Sequence, residues 1–209
     1  MTAAGDEKDE RLTHRLEAFS DIVIGFSLAQ LGLSLTLPAK PADLFAHPVG
    51  ITAFIVTFAI VCRLWWSHHK LFSTVFVPKP LPVFLNFATL GVLLFSVYSV
   101  QLMTHFMTDR LAFVTYLGSF AALFLLMGAQ YVAGYKLRGS SLPAAVARKS
   151  LADGIVMLFA GVGFAAGGAA IAIFGMHPGI AVPFVVIFLV TVRILRVALS
   201  NRVRRAQTA

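Results

Sequence analysis

Six long apolar runs, each close to the length needed to cross a bilayer, dominate this sequence. A hydrocarbon core about 30 Å thick takes roughly 20 residues to span at about 1.5 Å per residue. The runs fall at about 16–37, 49–67, 81–105, 111–135, 151–174 and 180–199. Proline, glycine and charge separate them: Pro38 and Pro41, then Pro48, then Pro78, Pro80 and Pro82, then Asp109-Arg110, then Lys136 to Lys149, then Met176-His177-Pro178-Gly179. Inside a membrane each backbone group must be satisfied within its own segment, so such runs fold as helices. The expected fold is therefore all-α: a polytopic membrane protein of six transmembrane helices. Composition agrees, with 58% hydrophobic and only 12% charged residues, against about 25% charged in a soluble domain. That excludes a soluble globular domain, a disordered chain and, with Cys62 as the single cysteine, a disulfide scaffold.

The net charge of +8 would suggest nucleic acid in a soluble protein. Here the basic residues read as topology signals. With the N-terminus inside, thirteen of the 17 Lys and Arg fall in inner segments, and only Lys40 and Arg110 in outer loops. An even number of spans then leaves both termini cytoplasmic, in a multi-pass protein of the cell membrane. Residues 1–14 read as a polar cytoplasmic tail, 15–200 as a single six-helix domain, and 201–209 as a basic cytoplasmic tail suited to anionic lipid rather than nucleic acid. The acidic start, with Asp6, Glu7, Asp9 and Glu10, is not a signal-peptide n-region, so the first span is expected to be retained.

Polar residues inside the spans are costly and mark function or a structural pair. Asp21, Arg63 and Asn86 lie at similar depths in the first three helices, with His68 and His69 just beyond. Depth alone predicts one buried polar cluster. Two roles fit it: a clasp that positions helices, or a gating or proton-sensing site, since histidine titrates near neutrality. Adjacent His68 and His69 point about 100° apart on a helix and make poor partners for one metal, so neither metal nor cofactor is expected. Trp65 and Trp66 fit an interfacial anchor, and one of them could instead donate its indole N–H to the first helix.

The first helix carries two stripes. Ser20, Ser27 and Ser34 recur every seven residues and suit close helix packing. Phe26, Gln30, Leu33 and Leu37 form a bulky stripe roughly 80–100° around the helix that faces something else. The fifth run holds Gly161, Gly163, Gly167 and Gly168, including a G-x-x-x-G at 163–167, which reads as a packing surface. Asp153 is placed to pair with Arg193 and Arg196 of the sixth run.

Three motifs carry a family resemblance. Arg15-Leu-Glu-Ala-Phe19-Ser20-Asp21 opens the first helix, Trp65-Trp66-Ser67-His68-His69-Lys70-Leu71-Phe72 ends the second, and Asn86 sits early in the third. Together they resemble the prokaryotic members of the transmembrane protein 175 potassium channel family. The resemblance implies a homotetramer of six-helix subunits with the first helices lining a central pore. It also implies apolar constrictions five, nine and twelve residues after the aspartate, here Phe26, Gln30 and Leu33. Gln30 departs from the apolar residue usual there. A ring of amides would hydrate the constriction, whereas an apolar ring gates by excluding water.

The expected function is thus an oligomeric, potassium-permeable cation channel embedded in the lipid bilayer, with potassium as the permeant species. The alternative is a proton-coupled secondary transporter using Asp21 and the His68/His69 region, although neither an internal repeat nor a mid-span break is evident. An enzyme is not expected: no G-x-S-x-G, H-E-x-x-H or paired-carboxylate arrangement occurs.

Overall fold

The computed structural model describes residues 3–35, 40 and 48–175. They form five α-helices: α1 (Ala3–Leu33), α2 (Pro48–Thr74), α3 (Pro80–His105), α4 (Arg110–Arg138) and α5 (Ala144–Phe174), with one 3₁₀ turn at Gly139–Ser141. All five are long and apolar enough to cross a membrane. The expectation of six spans is corrected accordingly: five membrane-length helices occupy the described residues, and the run at 180–199 lies outside them. The even-number argument for two cytoplasmic termini loses its footing with that count. The Asp153 partners expected at Arg193 and Arg196 also lie outside the described residues, as does Leu37.

Helix starts follow local chemistry. Pro48 and Pro80 occupy first helical positions, where a missing N–H costs nothing. Asp109 caps α4 by accepting the Ala112 N–H at 3.0 Å. Two helices begin well before their apolar runs. α1 continues back through Glu7, Lys8 and Arg11, and α5 back through Arg148 and Lys149, because these residues and alanine are good helix formers at any polarity.

The short connections at 75–79, 106–109 and 139–143 make α2, α3, α4 and α5 successive antiparallel neighbours. The helices α3, α4 and α5 form the most extensively packed part of the bundle, while α1 lies more lightly against α2 and α3. The α4–α5 seam depends on glycine. A Cβ on Gly161 would sit 2.6 Å from Leu125 Cγ, and one on Gly154 2.8 Å from Tyr131 Cβ. With Gly168 against Leu117, these form a seven-residue stripe at 154, 161 and 168. The close approach to α4 thus follows that stripe rather than the 163–167 motif. Beside it, Phe124 and Phe164 stack at 5.4 Å.

The end of α5 is tied to the start of α4. Gly175 takes a left-handed conformation, φ 63°, and its N–H bonds the Ile171 carbonyl at 3.1 Å. Arg110 donates to the Ala172 carbonyl at 2.9 Å. A cation there satisfies an orphan carbonyl and opposes the helix dipole.

Candidate functional site

The two stripes of α1 face different surroundings. Ser20 and Ser27 are fully buried, with Ile24 and Leu31 beside them. Each serine hydroxyl returns to its own helix, Ser20 to the Leu16 carbonyl at 2.7 Å and Ser27 to the Val23 carbonyl at 2.8 Å, which keeps the packing face free of unsatisfied donors. On the other side, Phe19, Ile22, Phe26 and Leu33 are exposed, Phe26 at 57% and Leu33 at 81%. Gln30 is half-buried. At 100° per residue it stands about 40° around from Phe26, at the edge of the exposed stripe. None of Phe26, Gln30 and Leu33 is sequestered in the subunit's own core.

At one end of the bundle, the polar residues singled out above separate into groups. Asn86, fully buried on α3, donates its amide N–H to Ser20 Oγ at 3.0 Å. Its Oδ1 must then accept, and it does so from His68 Nε2 at 2.8 Å. That fixes the His68 tautomer with hydrogen on Nε2. A directional chain results, running His68 to Asn86 to Ser20 to the Leu16 carbonyl and joining α2, α3 and α1. Phe72 supports it, its ring 4.6 Å from that of His68.

Asp21 has a different partner. Trp65 Nε1 donates to Asp21 Oδ1 at 2.9 Å, and one turn on, His69 Nδ1 lies 3.1 Å from Glu17 Oε1. Both contacts join α1 to α2. Phe19 meets Phe87 of α3 edge-on at 6.0 Å. Arg15 is exposed and makes no hydrogen bond or ion pair among the described residues.

Arg63 does not join this assembly, which corrects the single cluster expected from depth. Its guanidinium donates to Ser67 Oγ and lies in the field of Asp153 on α5 and Tyr131 on α4. The reason is azimuthal. Arg63 and Trp65 are two residues apart, about 200° around α2, so a helix that turns Trp65 toward Asp21 turns Arg63 away. Tyr131 completes this second group by donating to the Ser67 carbonyl at 2.7 Å. Sequence reasoning also missed Gln130, which donates to Thr89 Oγ1 at 2.7 Å, and the Ser99–Ser119 pair at 2.9 Å. Their signal was present, as hydrophilic side chains deep in α3 and α4.

No group of three His, Cys, Asp or Glu side chains suited to a metal occurs among the described residues. Hydrogen bonds through two aromatic-rich motifs join α1 to α2 and α3 and set its rotation. Residues 15–97 match the family model described as the endosomal/lysosomal potassium channel TMEM175. The matched segment contains all three motifs and every hydrogen bond of the α1–α2–α3 assembly.

The chain is similar to the TMEM175 family over residues 15–97. A relative named "Potassium channel" from Marivirga tractuosa is 27% identical over 149 residues, covering 59% of this chain and 60% of its own length. The TMEM175-type fold extends further than the sequence likeness. A crystal structure of a variant of the potassium channel MtTMEM175 superposes with a TM-score of 0.59 at 21% identity, covering 93% of each chain. That of a lysosomal potassium-selective channel TMEM175 homolog from Chamaesiphon minutus gives 0.61 at 19% identity, covering 92% of this chain and 98% of that one. At such identities the structural likeness speaks for the TMEM175 fold alone.

Proposed function

We propose that this membrane protein is a potassium-permeable cation channel of the cell membrane. Copies of α1 surround a shared pore in a homotetramer, and Phe26, Gln30 and Leu33 form the constriction. One observation carries the reading. The hydrogen-bonded face of α1 points inward and its bulky face points out of the subunit, with Phe26 and Leu33 exposed. A helix held on one side by Asn86 and Trp65, and bare on the other, is suited to present its free face to copies of itself. The name of the Marivirga tractuosa relative supports potassium as the permeant ion.

Phe26 forms the tightest ring in this proposal, an apolar gate that holds the pore shut by excluding water. Potassium flux from liposomes containing the purified protein tests it. Wild type conducts, and Phe26→Ala conducts more. Absence of flux from both proteins sinks the proposal.

A further inference from the structure

We infer that the connection between α4 and α5 is a docking surface for the headgroups of anionic phospholipids. Lys136, Arg138, Arg148 and Lys149 fall within 14 residues, and all four side chains are exposed. The segment between them contains no carboxylate, and Asp153 is the single acid from residue 110 to the end of the sequence. Asp153 lies in the field of Lys149. Lys136, Arg138 and Arg148 have no ion-pair partner among the described residues.

The fold sets the depth of these cations. The helical segments end at Ser141 and resume at Ala144, but their apolar runs end near 135 and resume near 151, so the four cations and the connecting turn lie beyond the apolar runs, at headgroup level. α2 ends at the same level, since a Cβ on Gly134 of α4 would lie 2.6 Å from the Val75 carbonyl just past α2. Near that end Trp66 is exposed, with Lys70 Nζ 5.5 Å from its ring centre, an interfacial arrangement. Leu137, 51% exposed between Lys136 and Arg138, is shaped to enter the acyl boundary while its neighbours reach phosphate. Clustered cations directly beyond a membrane helix attract anionic lipid, each adding to the affinity.

Native mass spectrometry of the intact protein, with phosphatidylglycerol and phosphatidylcholine offered in equal amounts, tests the inference. Wild type should retain phosphatidylglycerol in excess. The pair variants Lys136→Gln/Arg138→Gln and Arg148→Gln/Lys149→Gln should each lose most of that excess, about fivefold per cation removed. A control, Lys8→Gln/Arg11→Gln, removes charge from the start of α1 and should leave it intact. Equal retention of the two lipids by wild type overturns the inference. So does an unchanged excess in both pair variants, or an equal loss in the control. Displacement of the bound lipid by millimolar inorganic phosphate would make the site one for free phosphate and overturn the lipid assignment.

Discussion

Trp65 and Asp21 are 44 residues apart in sequence, yet the indole N–H of one meets the carboxylate of the other at 2.9 Å. A carboxylate inside a membrane span needs a donor, and a tryptophan from the adjacent helix supplies it while adding apolar bulk around it. The bond fixes both the rotation of α1 about its own axis and its register against α2.

Loss of that donor should uncouple the two helices. Trp65→Phe keeps the ring volume near the site and removes the N–H. Interhelical hydrogen bonds in membranes contribute about 0.6 kcal/mol on average and rarely exceed about 1.7 kcal/mol. Trp65→Phe and Asp21→Ala should each destabilise the detergent-solubilised protein, since each removes one partner of the bond. A double-mutant cycle on thermal unfolding should give a coupling of about 1 kcal/mol. Strict additivity of the two substitutions would show that the contact contributes nothing.

Asn86 should be the more sensitive position. It donates to Ser20 and accepts from His68 in a fully buried site. Asn86→Ala strands both partners, at about 1–3 kcal/mol for each buried group left unmade. Ser20→Ala removes the bond accepted from Asn86 and the one returned to the Leu16 carbonyl but keeps the His68–Asn86 bond, and should cost less. Thermal melts of the two variants check the order, and a Ser20→Ala melt lower than that of Asn86→Ala contradicts the chain described here.

The glycine stripe on α5 gives a prediction with an internal control. Gly161→Ala places a methyl 2.6 Å from Leu125 Cγ and 3.0 Å from the Ala121 carbonyl, so α4 and α5 must separate, at about 1–3 kcal/mol. Gly118→Ala meets nothing within 4 Å and gains helix propensity, so it should be neutral or slightly stabilising. Equal melting temperatures for the two variants would mean that the seam is looser than its geometry indicates.

Much of this architecture is legible without coordinates because hydrocarbon imposes so few choices. The observed α3, Pro80–His105, differs by one residue from the apolar run at 81–105, since prolines and a polar end bound it on both sides. The start of α1 was less visible, because hydropathy reports the solvent around a helix and not the helix itself. Within the site, axial depth could be counted from sequence, and it correctly brought Asn86 near His68. Azimuth could not be assigned without knowing which side of α2 faces α1. That is why Arg63, at the right depth, was grouped with Asp21 although it faces Ser67 and Tyr131. The pairing of Gln130 with Thr89 depends on how α3 and α4 are rotated against each other, which two nearly all-apolar helices do not announce.

Gln30 should set the wetness of the proposed constriction. It is the one amide among the exposed and half-exposed residues between Phe26 and Leu33, and it sits one turn beyond Phe26. Around a shared axis, several such amides supply oxygens to a passing cation and keep water in the pore. Gln30→Leu replaces them with an apolar ring of similar size, and apolar constrictions gate by dewetting. Potassium flux from liposomes should therefore fall by about tenfold or more, while thermal stability changes little because this side chain makes no hydrogen bond among the described residues. Gln30→Asn, with the amide kept but withdrawn by one methylene, should retain most of the flux. A Gln30→Leu protein that conducts like wild type would move this side chain out of the pore, and a loss of folding in Gln30→Leu with Gln30→Asn intact would assign the amide to packing instead.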